Sequence, residues 1–169
     1  RNPDRDAGLI EFDRLLFKHL GYGVSNAARS LVMAVTFARF TEVPVAGPTR
    51  GYYQHINRYS ASFALITDAA MFTLGGELKR RELISARLGD ILSYLYLGSM
   101  VLKHYQDQGE PAEDLPLVEW SCRTLLYKTQ EQFHGLLLNF PNRWVAALLR
   151  FFIFPRGRTY FAPSDVLGQ

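Results

Sequence analysis

The sequence predicts an all-α protein: a helical bundle of about six helices, three of them long, with an irregular C-terminal tail. Three observations predict it. Apolar residues recur at alternating steps of four and three, the spacing that gathers side chains on one face of a helix. No alternation of period two lasts long enough for a strand. Two loops with glycine, proline and polar residues, at 41–49 and 106–115, divide the pattern into segments of bundle length.

The elements follow in order. Residues 1–8 are polar and form a loose lead-in. Leu9, Phe12, Leu16 and Leu20 give a first helical face, which Gly21-Tyr22-Gly23 is expected to end. Ser25 or Asn26 is placed to cap a second helix, with Ala27, Ala28, Leu31, Val35 and Ala38 on its face and an end near Phe40. Thr49 is the expected N-cap of a third helix, carrying Tyr52, Ile56, Tyr59, Phe63, Ile66, Ala70 and Leu74. Gly75-Gly76 breaks it. A fourth helix, from Lys79 to Tyr105, buries Ile84, Leu88, Ile91, Leu95, Gly98 and Leu102. Gly98 in that stripe predicts a close helix–helix approach, because glycine has no side chain to hold a neighbour away. Two long helices with so short a connection predict an antiparallel hairpin. Pro116 fits the first turn of a fifth helix, where a missing N–H is harmless. Val118, Cys122, Leu125, Thr129, Phe133, Leu136 and Phe140 form its stripe. Asn142 is placed to cap a short sixth helix, Arg143 to about Phe152, and Pro155, Gly157 and Pro163 make the rest irregular.

Composition bounds the function. A chain of 169 residues, 48% hydrophobic and 21% charged, fits one folded domain with a real core. A formal charge of +3 is too weak to indicate nucleic acid. One cysteine, Cys122, excludes an intrachain disulfide and reads as a core residue. No run of apolar residues is long enough to cross a membrane. The chain starts at Arg1 with neither an initiator Met nor a signal peptide, which suggests a fragment or a processed product.

Catalytic and metal motifs are lacking. His19, His55, His104 and His134 are scattered without metal-ligand spacing, and no P-loop, dinucleotide fingerprint or nucleophile elbow occurs. No catalytic residue is assigned. Asp68, Arg87 and Asp90 fall inside long helices, and Arg87 is expected to pair with Asp90 or, across the hairpin, with Asp68. Arg80 and Arg81, in a basic turn beside Glu77 and Glu82, read as a solvated bundle end or as a contact for an anion or a partner. The tail mixes arginines with aromatics: Arg143, Trp144, Arg150, Phe151 and Phe152 are the other candidate interface residues. Two readings stand for that tail. It docks on the bundle or on a missing domain, or it lies in a membrane interface with arginines at headgroup level. Docking is favoured.

The blocks Phe12-Asp13-Arg14-Leu15-Leu16-Phe17-Lys18-His19, Tyr52-Tyr53-Gln54-His55, Leu74-Gly75-Gly76 with Leu78-Lys79-Arg80-Arg81-Glu82, Ser85 to Ser93, Asn139-Phe140-Pro141-Asn142-Arg143, Phe154-Pro155 with Gly157-Arg158, and Pro163-Ser164-Asp165 with Leu167-Gly168 carry a resemblance. In this order, and almost end to end, the chain resembles the C-terminal region of bacterial long-form acyl-CoA dehydrogenases (the FadE type). The resemblance implies one C-terminal α-helical domain over residues 1–169, without the catalytic core. It implies a FAD-dependent enzyme of fatty-acid β-oxidation that converts acyl-CoA to trans-2-enoyl-CoA and passes electrons to electron-transfer flavoprotein. FAD, acyl-CoA and the glutamate base would belong to the missing core, so the piece alone is expected to be inactive. The implied setting is a homo-oligomer in the cytoplasm, with peripheral contact at the inner face of the cytoplasmic membrane and no nucleic acid partner. The alternative is a stand-alone helical module that docks on a membrane or a partner without catalysis.

Overall fold

Four long helices run alternately up and down, and a short fifth packs across them. The computed structural model describes residues 3–164, with the side chains of 3–9, 16, 19 and 20 left aside. In it α1 spans Pro3–Thr36, α2 Arg50–Leu74, α3 Glu82–Asp107, α4 Leu115–Leu138 and α5 Arg143–Ile153. A 3-10 helix, Gly75–Arg80, links α2 to α3. The described residues thus form six helical elements and no strand, the all-α class the apolar spacing predicts.

The registers follow from the contacts. Asn26 Nδ2 donates to Asp68 Oδ2 at 2.8 Å, and Ser30 Oγ meets Ser62 Oγ at 3.1 Å, so the latter half of α1 runs antiparallel to α2. Gly98 lies against Ile56, whose Cδ1 would be 3.2 Å from an added Cβ. This is the close approach the stripe predicts, and it sets α3 antiparallel to α2. Lys128 lies over the Tyr94 ring, while Arg87 Nη1 donates to Gln132 Oε1 at 2.9 Å, so α4 runs antiparallel to α3. All six stripe residues of α3 are buried. They meet Val118, Cys122, Leu126, Phe133 and Leu136 of α4 in one core, where Tyr59 stacks on Phe133.

Three expectations are corrected. Gly21-Tyr22-Gly23 does not end a helix; α1 runs straight through. A glycine stop needs a left-handed residue, and neither Gly21 nor Gly23 has positive φ. Ser25 and Asn26 are therefore interior, and Asn26 bridges to α2 instead of capping. The real end is made by Phe37 and Ala38, both non-glycine at positive φ (53° and 55°), with Ala38 N donating to the Met33 carbonyl. Such residues cost about 1–2 kcal/mol each. The packing of buried Ala38, and of Phe37 between the guanidinium groups of Arg58 and Arg156, offsets this. Of the first expected face, Phe12 is exposed, and Leu9, Leu16 and Leu20 lie outside the described side chains. Second, Arg87 pairs with neither carboxylate. It bonds Gln132, and Asp68 is taken by Asn26. The boundary of α3 also moves: Lys79 and Arg80 lie in the 3-10 helix rather than in the first turn of α3.

Candidate functional site

The site is built on α5. Asn142 begins it as expected: its Oδ1 accepts from Trp144 N at 3.0 Å and Val145 N at 3.2 Å. That satisfies two N–H groups the helix cannot satisfy itself. Ala146, Leu149 and Ile153 recur at helical spacing and are buried against the bundle. Burial of Leu149 and Ile153 stabilises the docked helix by about 1.5–3 kcal/mol each. The docking half of the sequence reading therefore holds for this face.

The opposite face has no cover. Trp144 is 87% exposed, and Leu148 and Phe151, one and two turns on, are 59% and 58% exposed. The three form an apolar ridge along the helix. Between ridge and buried face runs a second stripe, Arg143, Ala147 and Arg150, which lines a groove of about 200 Å³. α4 supplies His134, Leu137 and Leu138 to the far wall, and Phe154, Gly157 and Arg158 close one end. Arg143 Nη1 donates to the Leu138 carbonyl at 2.8 Å. Arg158 pairs with Glu131 at 3.0 Å. The Arg150 guanidinium has no hydrogen bond or ion pair among the described residues. Burial, then the Arg158 and Arg150 charges, push the His134 pKa down against the pull of Glu131.

A second, open depression of about 570 Å³ joins α5 to the 3-10 helix through Thr73, Glu77, Arg81, Arg143 and Trp144. Arg81 and Glu77 form a loose exposed pair at 3.6 Å. Of the sequence-chosen residues, the structure thus brings Arg81, Arg143, Trp144, Arg150 and Phe151 onto one continuous surface. Arg80 is exposed in the same 3-10 helix. Phe152 differs. It is half-buried against the core, edge-on to Phe151 at 5.6 Å. Sequence reasoning missed Leu148, Arg158 and His134. Leu148 was findable, since it stands four residues after Trp144 and three before Phe151. His134 carries no local signal.

Beneath the C-terminus of α5 lies a polar cluster. Arg58 is 1% exposed, and its Nη2 donates to the Ile153 carbonyl at 3.3 Å. Its guanidinium also faces the Phe37 and Tyr59 rings. A cation at a helix C-terminus is favoured by the helix dipole. Burial, with Arg58 one turn away, pushes the His55 pKa down to about 4. Gln130, fully buried, fastens the tail: its Oε1 accepts from Thr159 N (2.8 Å) and Tyr160 N (3.0 Å), and its Nε2 donates to the Tyr160 carbonyl at 2.8 Å. Cys122 is buried, with its thiol pushed up to about 12 by burial, which fits a packing role.

Among the described residues, no three of His, Cys, Asp and Glu converge as a metal site. No helix there is long and apolar enough to cross a membrane. No solved structure matches the chain. The family model for the C-terminal domain of acyl-CoA dehydrogenases of bacterial type matches residues 1–169. A helical bundle with a surface site, and the ordered blocks from Phe12 to Gly168, agree with that match: the chain belongs to the bacterial-type acyl-CoA dehydrogenase C-terminal domain family.

Proposed function

We propose that this domain serves a FAD-dependent acyl-CoA dehydrogenase of fatty-acid β-oxidation as its peripheral membrane contact, with α5 as the contacting element. FAD, acyl-CoA and electron-transfer flavoprotein fall to the dehydrogenase core in this reading. No residue of the bundle is assigned to the flavin. The bundle's own part is placement.

One observation carries the reading: the uncovered ridge of Trp144, Leu148 and Phe151 beside Arg143 and Arg150. Trp and Phe enter the boundary between headgroups and acyl chains, while arginine stays at phosphate level. Arg81, which shares a depression with Arg143 and Trp144, extends the cationic rim. Docking on the bundle, one half of the favoured sequence reading, leaves this ridge uncovered; docking on a missing domain is the other half. The same ridge is also the natural contact for a second copy of the chain, and one experiment separates the two.

Phosphatidylcholine vesicles with and without phosphatidylglycerol are sedimented with the chain and with Trp144→Ser/Phe151→Ser. The expected result is pelleting on the anionic vesicles, weakened by rising salt and reduced at least about tenfold by the double substitution, as follows from losing two buried aromatics. Absence of pelleting, with a dimer that the double substitution dissolves, would assign the ridge to oligomer contact instead.

A further inference from the structure

The groove behind the ridge has a charge balance of its own. Three arginines line it, Arg143 and Arg150 from α5 and Arg158 from the turn after it. One carboxylate, Glu131, answers them, and it is paired with Arg158. Arg143 uses one N–H on the Leu138 carbonyl and retains others. Arg150 retains all of its own. Burial first, and then Arg158 and Arg150 against the pull of Glu131, lower the pKa of His134 on the α4 wall. Nothing in the described protein balances the surplus of positive charge.

We infer that the groove between α4, α5 and the Gly157–Arg158 turn is a phosphate pocket, and that a phospholipid headgroup fills it when α5 lies on a bilayer. The phosphate part stands on the groove alone, while the lipid source rests on the membrane reading above. Guanidinium forks match phosphate oxygens and bind them with charge-assisted hydrogen bonds. Arg143 and Arg150 stand two helical turns apart on one stripe, so both reach the same groove. A volume of about 200 Å³ admits a phosphate group with its remaining waters. What singles out a lipid is adjacency. The stripe that supplies the arginines borders the ridge of Trp144, Leu148 and Phe151, so one ligand with a phosphate and acyl chains meets both surfaces of α5.

Two measurements test this. In the first, inorganic phosphate and soluble dihexanoyl phosphatidic acid are titrated while the His134 imidazole is followed by NMR. The wild type should move on both. Arg150→Gln should bind about tenfold more weakly, the loss of one charge-assisted hydrogen bond. Lys103→Gln, exposed on α3, should leave binding unchanged. In the second, vesicles of phosphatidylcholine with phosphatidic acid are pelleted with the same variants. Arg150→Gln should lower the bound fraction, and Trp144→Ser/Phe151→Ser should abolish pelleting yet leave the phosphate titration intact. An imidazole that phosphate does not move overturns the pocket, whatever the vesicles do. Phosphate binding with pelleting that Arg150→Gln does not alter overturns the lipid source. Phosphate binding with no wild-type pelleting removes the membrane reading and the lipid source together.

Discussion

His55 stands edge-on to Tyr160 at 5.4 Å and to Phe37 at 6.3 Å, with its pKa lowered to about 4 by burial and by Arg58. The sign follows from the direction. The fold prefers the neutral ring, so the stability His55 confers is fully present above its unfolded pKa of 6.5 and is lost as pH falls through 4. The span corresponds to about 3 kcal/mol at about 1.4 kcal/mol per unit. Urea midpoints measured between pH 7 and pH 4 should fall steeply, and His55→Phe, which keeps an aromatic ring, should flatten that part of the profile. An unchanged slope in the variant would assign the acid sensitivity elsewhere. Single residues differed in how plainly the sequence announced them. Gly98 stood inside an apolar stripe, where a missing side chain has one meaning. Arg87 did not: its partner is an amide, Gln132, on a helix 45 residues away, and charge alone pointed to the wrong neighbours. Arg58 gave no warning at all, because a buried cation without a carboxylate is a product of tertiary packing, here of a helix end and two aromatic faces.

Elements were legible where their periods were long and their breaks were chemical. Gly75, left-handed at φ 50°, does terminate α2, and Pro116 does sit in the first turn of α4. The miss at α1 has a physical cause. Glycine permits a helix to end but does not compel it, and side-chain contacts with α2 at Asn26 and Ser30 hold the backbone in register. α5 shows the reverse case, a short helix that depends on its cap. At 11 residues it is too short to persist without help. Asn142→Ala should destabilise the fold by about 1 kcal/mol, and Asn142→Asp should retain most of the stability. Amide exchange across residues 143–153 is the appropriate probe, and equal protection in Asn142→Ala and wild type would refute the dependence.

Across the whole molecule, the antiparallel pairing of α2 with α3 was implied by their stripes and short connection, whereas the continuous α1 was not, because its length read as two short helices. The surface site was implied only in part, because which flank of α5 would be covered depends on how it rolls on the bundle. The tail was the least legible feature. Residues 159–160 are held by a side chain, Gln130, standing in for a neighbouring strand, and no local pattern announces that. Gln130→Ala would leave three backbone groups of Thr159 and Tyr160 without partners. The expected loss is about 1–3 kcal/mol, with faster proteolysis after Arg156 or Arg158; a cleavage rate equal to wild type would show that Gln130 does not hold the tail. The two ends of α5 have a joint effect. Asn142 fixes its start, and Arg58 grips the Ile153 carbonyl from inside the core. A surface seated on the ridge therefore meets the long helices at one fixed angle. The helix transmits heading as well as attachment: whatever is joined to this bundle would be aimed, held at a set tilt and azimuth to the surface that the ridge meets.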